Sequence, residues 1–524
     1  MSLPAPVSAM LKPEFYPHHP QAVTLVQSHI SYVLLAGSEV YKLKKPVRFS
    51  FLDFSTLPLR RHFCHEEVRL NRRLAHDVYR GVVAICRADD AYRLGAEDDP
   101  NAVEYAVHMR RLPDDRMLDH LLDGNQVTPA MIDALAARLA GFHGSAATGP
   151  EITANGDCIA IWRVLEDNYT NARPFRGVTI GADDDDVIQR FAQSFLQRET
   201  GLFRRRQAEG RIRDCHGDLH TEHICYGNGL IIFDCIEFNP QFRYCDVASE
   251  IAFLAMDLDY HERPDLTAEL VSRYGGYAKD ADLPRLLPFY QCYRAYVRGK
   301  VDSLKSAEDE VAPNEREMAR QSACRHFALA YRYTWGYSPA LVVIAGLSGS
   351  GKSAVAAALG SRTGFNHINS DVVRKRLADV PLDAHVPAAY ESGLYTAEHS
   401  ARTYRQMMMD AAAQLASGRG VILDATFQRR ADRDAARLVA TEHKVPVLFV
   451  ECRCSEAAAR QRLGQRMARG EGPSDADWNV YLEQRRRYEP FLPAEAADQC
   501  ALDTAAPISE STAVIERELR KRMR

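Results

Sequence analysis

The chain has 524 residues, with 66 Lys and Arg against 70 Asp and Glu, a formal net charge of −4, and a hydrophobic content of 46%. That length exceeds what one hydrophobic core holds, so two or three domains are expected, and the near-balanced charge excludes a general pull toward nucleic acid or an anionic membrane. No apolar run approaches the ~20 residues that span a bilayer. The first residues lack a secretory leader pattern, and twelve cysteines without a CxxC pair read as reduced thiols, so a cytoplasmic protein without a membrane partner is expected.

Residues 33–47 read as a β-hairpin turning at Gly37-Ser38. Its second strand, in VYKLKKP, carries Lys42 and Lys44 two positions apart, and strand alternation puts both on one face. Residues 60–74 read as a helix with Glu66 and Glu67, and residues 105–109 as a strand that runs on into YAVHMRRLPDD. A mainly helical stretch follows. It is interrupted by CHGDLHTEHICYG (215–227) and by a strand over 230–233 that delivers Asp234. Cys215, Cys225, Cys235 and Cys245 fall ten apart, a spacing that matches no metal site. Residues 262–335 have helical periodicity with aromatics, as in FYQCYRAYVRGKV.

Gly336 and Pro339 then punctuate the chain before a fresh apolar strand, which places a domain boundary between 1–335 and 336–524. Beyond it strands and helices alternate (LVVIAG, HINSD, a helix near 401–417, GVILDAT, VLFVEC), the pattern of an α/β domain with a parallel sheet. The first strand runs into GLSGSGKS (346–353), which matches GxxxxGK[ST] in its strand-to-helix context. There Gly346, Ser348, Gly349, Ser350 and Gly351 are expected to close backbone N–H groups around phosphate. Lys352 is expected to reach the β/γ-phosphates of ATP, and Ser353 to ligate Mg²⁺. Asp371 follows a strand end with Arg374 three residues on, a carboxylate for a hydroxyl proton and a cation for an anion. Asp424 ends a second apolar strand, where it can orient Mg²⁺ or its water. Arg462, Arg466 and Arg469 share one helical face, a basic lid or an ordinary solvated surface.

Together, GxxxxGKS, SDxxR, DAT and the Arg-rich helix resemble the P-loop kinases related to polynucleotide kinase, zeta toxins and gluconate kinase, over about 340–500. The resemblance implies phosphoryl transfer from ATP with Asp371, Lys352, Arg374 and Arg466 as catalytic residues, and it chooses no acceptor. HGDLH (216–220) resembles the loop of the aminoglycoside phosphotransferase and choline kinase families, over about 30–300. That resemblance implies a bilobal, protein-kinase-like α+β fold in the first half, with Asp218 as base and Asp234 as metal ligand. It also implies Lys42 or Lys44 on the nucleotide phosphates, Glu67 (or Glu66) as the lysine's partner, residues 105–115 as a hinge and Asp246 as the brace of the catalytic loop. His223 stands where those families place the metal-binding Asn, so Mn²⁺ is a candidate there beside Mg²⁺, since imidazole suits softer ions. A zinc site of His216, His220 and His223 is disfavoured because Gly217-Asp218 breaks the helix that HxxxH needs. Arg294, Arg298 and Lys300 are candidates for a substrate pocket or for a plain helix surface. The expectation is a bifunctional kinase acting on hydroxylated small molecules. The alternatives are a P-loop kinase regulated by a binding-only first half, and a nucleic-acid end kinase, which the charge does not favour.

Overall fold

The computed structural model describes residues 3–49, 51–89, 91–382, 396–469 and 476–523. The chain divides into two compact units, Met1–Ala330 and Tyr331–Arg524. Among the described residues no helix is long and apolar enough to cross a membrane.

The first unit begins with a sheet of β1 (Val23–Gln27), β2 (Ser31–Ala36), β3 (Glu39–Lys44), β4 (Tyr79–Ala88), β5 (Ala91–Gly95) and β6 (Ala102–Arg110). The strand order is β1-β2-β3-β6-β4-β5, antiparallel throughout. Both faces are covered, and the alternation of β3 shows how. Val40 joins the cluster packed under helix α1 (Leu57–Asn71), whereas Tyr41 and Leu43 join Val7, Met10 and Tyr16 of the N-terminal segment on the other face. Helix α1 starts where the Thr56 hydroxyl accepts from the Leu59 N–H and Pro58 occupies the first turn. Its inward face brings Glu67 onto the even-numbered side chains of β3, those of Lys42 and Lys44.

Outside the sheet the described residues of the unit are mainly helical, with three short antiparallel ladders. Arg48–Phe49 pairs with Leu52–Asp53 before α1, and after the sheet Ile212–Asp214 pairs with Tyr244–Asp246 and Ile224–Gly227 with Gly229–Ile232. The HGDLH loop hangs between these last two ladders and is braced from below by α2 (Val247–Tyr260). Glu250 of α2, fully buried, accepts from the backbone N–H of His216 (2.7 Å) and Gly217 (2.6 Å), and its Oε2 lies 3.1 Å from His143 Nε2. Two turns further along, Asp257 accepts from the backbone and hydroxyl of Thr221 (2.8 and 2.7 Å). Asp246, expected to be the brace, does something else. It caps α2 at the Ala248 N–H and pairs with the buried Arg206, which also holds Asp280. The Asp246 carboxylate is occupied by its own cap and by Arg206, and it is Glu250, one turn into the helix, that meets the loop N–H groups. Helix α3 (Leu283–Ser306) passes alongside α2 and completes the wall facing the loop.

The second unit is a five-stranded parallel sheet of β7 (Leu341–Ala345), β8 (Asn366–Asn369), β9 (Val421–Asp424), β10 (Val447–Arg453) and β11 (Gln499–Asp503), in the order β8-β9-β7-β10-β11. All five residues of β7 are buried, as a central parallel strand covered on both faces requires. The chain leaves β7 toward β8 and β9 on one side and later fills β10 and β11 on the other. The order therefore reverses beside β7, and the carboxyl ends of β7, β8 and β9 form the crevice where open α/β sheets bind ligands.

The burial of Glu250 has a measurable consequence. Burial alone would raise its pKa, but the hydrogen bond and charge of His143 and the loop N–H groups outweigh that and hold the carboxyl at about 2, against an ordinary 4.5. Its stabilisation is present above pH 4.5 and is lost as pH falls from there toward about 2, roughly 3 kcal/mol in all. Burial also pushes His216 down to about 4, so it too withdraws stability as pH falls below its ordinary 6.5. Urea midpoints measured from about pH 7 to about pH 3 should fall steeply for the native chain. The Glu250→Gln chain should start lower and have a shallower slope below about pH 4.5.

Candidate active sites

At the end of β7 the backbone curls through residues 346–351 into α4 (Lys352–Thr363). Gly346, Gly349 and Gly351 adopt φ of 144°, 77° and 86°. A Cβ on Gly346 would lie 2.5 Å from the Cys452 carbonyl, and one on Gly349 2.9 Å from that of Ala459. The glycines are therefore required by close approach as well as by conformation. Within the curl the N–H groups of Gly346, Ser348 and Ser350 donate to the Thr426 carbonyl (3.2 Å), the Gln484 side chain (2.9 Å) and the Leu347 carbonyl (3.1 Å). Lys352 Nζ donates to the Leu347 carbonyl of the same loop (3.0 Å), which holds the ammonium over the curl. Burial pulls the Lys352 pKa below its ordinary value, against the opposing charge of Asp424.

A cavity of about 540 Å³ opens beside this loop, and Lys352, Ser353, Asp371, Arg374, Asp424 and Arg466 all line it. Asn369, the last residue of β8, caps α5 (Ser370–Leu377) by accepting from the N–H of Asp371 (2.9 Å) and Val372 (3.2 Å), which fixes where Asp371 stands. Arg374 turns back to form a close ion pair with Asp371, one turn before it on α5, so the arginine holds the carboxylate itself as well as facing the cavity. Asp424, 1% exposed at the end of β9, accepts from Asn369 Nδ2 (2.7 Å), and its same oxygen lies 3.1 Å from His367 Nε2. Burial alone would raise its pKa; His367 and Lys352 outweigh that and keep it below the ordinary carboxylate range. Its other oxygen has no hydrogen-bond partner among the described residues. With the Ser353 hydroxyl also lining the cavity, the donors beside the loop are hard oxygens, the set that suits Mg²⁺.

The basic helix divides its labour. Arg462 is pinned to the end of β11, donating to the Thr504 carbonyl (2.8 Å) and hydroxyl (3.0 Å). Arg466 lines the cavity while donating to the Ala476 carbonyl (2.6 Å), and the side chain of Arg469 lies outside the described residues. Sequence reasoning missed Tyr404, Gln428, Arg429 and Asp432, which line the far side of the same cavity. Gln428 and Arg429 directly follow DATF, and that position past a strand's carboxyl end was the available signal.

In the first unit Glu67 joins both lysines of β3. Lys42 Nζ lies 2.9 Å from one of its oxygens and Lys44 Nζ 2.7 Å from the other. The lysines differ in depth and second partner. Lys44 is buried and closely paired with Glu237, whereas Lys42 lines a cavity of about 400 Å³ and pairs with Asp234 (2.5 Å). The alternative Glu66 points outward to Arg69. Asp234 sits at φ +63°, a left-handed conformation rare outside glycine, and its N–H donates to the Tyr79 hydroxyl (3.2 Å). That turn aims its carboxylate back at Lys42 and at the HGDLH loop.

Asp218, Asp234, His220 and His223 meet there. Asp218 Oδ2 lies 3.5 Å from His220 Nε2 and 3.6 Å from His223 Nδ1, and His223 Nε2 lies 3.6 Å from Asp234 Oδ2. His223 Nδ1 is also 2.9 Å from the Asp218 carbonyl, an acceptor only, so Nδ1 carries the proton and the lone pair of the neutral ring faces Asp234. Burial and the neighbouring His220 push the His223 pKa down, which favours that neutral form. Burial also opposes the charge on Asp218, yet His220 outweighs it and holds the carboxyl well below its usual range. His216 is turned away, its Nε2 on the Phe233 carbonyl (2.8 Å). The broken helix that argued against a metal thus removes His216 alone. Asp218, His220 and His223 form a three-residue donor group of mixed nitrogen and oxygen, a set better suited to Mn²⁺ or Zn²⁺ than to Mg²⁺. Arg294 and Lys300 line the cavity, and Arg298 does not.

The AAA domain family matches residues 341–491. Among solved structures, a gluconokinase from Sinorhizobium meliloti is 22% identical and covers 36% of this chain and 94% of its own, at a TM-score of 0.26. A choline/ethanolamine kinase family protein from Mesorhizobium loti is 14% identical and covers 62% of this chain and 98% of its own, at a TM-score of 0.35. Likenesses at these TM-scores carry no weight for fold or activity. The uncharacterized proteins Rv2004c of Mycobacterium tuberculosis (strain H37Rv) and Mb2027c of Mycobacterium bovis are each 32% identical over 456 residues, 86% of this chain and 87% of theirs. At that identity and span the chain, which carries the AAA domain match in its second unit, belongs to the family of these mycobacterial proteins.

Proposed function

We propose that the chain is an ATP-dependent phosphotransferase whose P-loop unit transfers the γ-phosphoryl group to a hydroxyl of a small molecule. One observation carries this reading: the glycine loop, Asp424 and the Asp371–Arg374 pair converge on a single cavity of about 540 Å³. The loop amides and Lys352 supply the phosphate cradle. Ser353 and Asp424 would hold the Mg²⁺ that accompanies the nucleotide and neutralises its charge. Asp371, positioned by the Asn369 cap and oriented by Arg374, stands across the cavity to take the proton of the acceptor hydroxyl. Arg466 adds positive charge on the side where phosphoryl charge develops. A cavity of this volume suits a small molecule, and Tyr404 is the one aromatic among the described lining residues, too few for a nucleic-acid stacking groove. All twelve cysteines are free thiols, which fits a reducing, cytoplasmic setting.

The first unit carries a second phosphotransferase site in this reading. Lys42, tethered by Glu67, faces the nucleotide phosphates, while Lys44 braces Glu67 from within the core. Asp218 is the base, and Asp234 with His223 would hold the metal. A binding-only role for this unit is the second reading. It is favoured by the close Lys42–Asp234 pair, which occupies both groups that a nucleotide and its metal need.

In a chain silenced at the first site by Asp218→Asn, Lys352→Ala should lower ATP turnover at least ~10²-fold through loss of the phosphate clamp. In the same background Asp371→Asn should lower phosphoryl transfer by a similar ~10²-fold or more while ATP affinity, read by calorimetry, stays within about threefold. Equal loss of ATP affinity would make Asp371 a metal ligand instead. At the first site, with Lys352→Ala silencing the second, Mn²⁺ should support activity better than Mg²⁺. His223→Asn should reverse that preference, and Asp218→Asn should abolish turnover with either ion. Nucleotide binding without transfer by every one of these variants, across a full panel of acceptors, would establish the binding-only reading.

A further inference from the structure

The acceptor side of the first unit's cavity carries two cations, Arg294 and Lys300, that make no direct ion pair among the described residues. Helix α3 turns Tyr293, Arg294, Val297, Lys300 and Val301 toward the cavity, a spacing that gathers them on one helical face. Arg294 is 5% exposed. Its guanidinium donates to the Ser249 hydroxyl (3.2 Å) and to the carbonyl of Gly217 (3.2 Å), the residue before Asp218, and it lies over the rings of Phe253 and Tyr293. Lys300, about 9 Å further along the helix, donates to the Asn168 side chain (2.7 Å). Among the described residues no carboxylate stands within ion-pair distance of either cation, although the cavity wall contains four. Asp234 is taken by Lys42, Glu237 by Lys44 and Asp246 by Arg206, and Asp218 faces His220 and His223.

A cation buried without an ion-pair partner is costly, and Arg294 is one, with the half-buried Lys300 further along the same pocket. An anion that enters can supply the direct counter-charge that neither has. Between them Tyr293, Phe253, Val297 and Val301 present apolar surface. We propose that the acceptor of this unit is an anion, a hydroxyl-bearing carboxylate or phosphate monoester on a largely apolar skeleton. Arg294, with its planar fork, and Lys300 bind the anionic group, and the hydroxyl is left toward Asp218. The charge pattern is opposite to what an aminoglycoside or a choline-like cation requires, so the loop's resemblance to those families does not extend to the substrate. The proposal rests on the phosphotransferase reading of this unit only for the role of Asp218; the anion site stands on the two cations alone.

Calorimetry on the full chain carrying Lys352→Ala tests it, with 4-hydroxyphenylacetate, 3-hydroxybutyrate and glycerol 3-phosphate as anions and choline, ethanolamine and kanamycin as cations, and with ATP titrated separately. At least one anion should bind ten times more tightly than any of the three cations. The carboxylates and the phosphate ester separate the two possible anionic groups. Lys300→Glu, on the open side of the pocket where folding is least at risk, should weaken that anion tenfold or more and raise the affinity of the cations. Arg294→Gln should weaken it further. Preferential binding of the cations, binding of no anion by a chain that still binds ATP, or anion affinity unmoved by both substitutions overturns the proposal. Anion binding that obeys these shifts in a chain whose first unit binds no nucleotide keeps the anion site and removes the phosphotransferase reading instead.

Discussion

Glu67 is the constraint on which the first unit depends. A carboxylate with no exposed surface is tolerable only if its charge is met, and here it is met twice, by Lys42 and Lys44 from the same face of one strand. That requirement fixes the register of α1 over β3. Once fixed, it carries Lys42 to the cavity wall and Lys44 into the core, and it draws Asp234 and Glu237 in behind them. Three carboxylates and two lysines thus form one set, in which loss of Lys42 would leave Asp234, and loss of Lys44 would leave Glu237, without its lysine. The active geometry and the packing of the sheet against its helix are a single electrostatic arrangement.

The second unit meets an anion by other means. Its cradle is backbone, shaped by glycines that a neighbouring carbonyl would not let any larger residue replace, and its charges are few and placed at strand ends. One unit invests in side-chain ion pairs buried at some cost, the other in oriented amides that need no counter-charge when empty. The two sites should accordingly respond differently to salt and to pH: the amide cradle is indifferent to titration, whereas the histidine-lined loop is not.

Most of what was legible in the sequence was local. The phosphate loop is recognisable because its glycines answer to contacts and torsions that recur wherever a strand meets a helix in this way, and Asp371 and Asp424 because a polar residue ending an apolar strand has few other places to go. What was hidden depended on tertiary depth. Lys42 and Lys44 share a face, and only the position of Glu67 beneath them tells them apart. Asp246 and Glu250 lie one turn apart, and only the capture of Asp246 by its own cap and by Arg206 shows which of them receives the loop N–H groups. Arg462 and Arg466 share a stripe, yet Thr504, more than thirty residues away, captures the first. The histidines of residues 216–223 looked unable to cooperate because a helix was assumed to be needed, whereas a bent loop brings two of the three rings to 4.0 Å.

The outer face of the first sheet is covered by the very start of the chain. Val7, Met10 and Tyr16 lie against Tyr41, Leu43 and Ala106, and the Tyr16 hydroxyl closes the segment by donating to the Met10 carbonyl (2.7 Å). These residues contact the back of the strand whose front holds the lysines. An expression boundary placed beyond about residue 20 would bare an apolar sheet face and invite self-association.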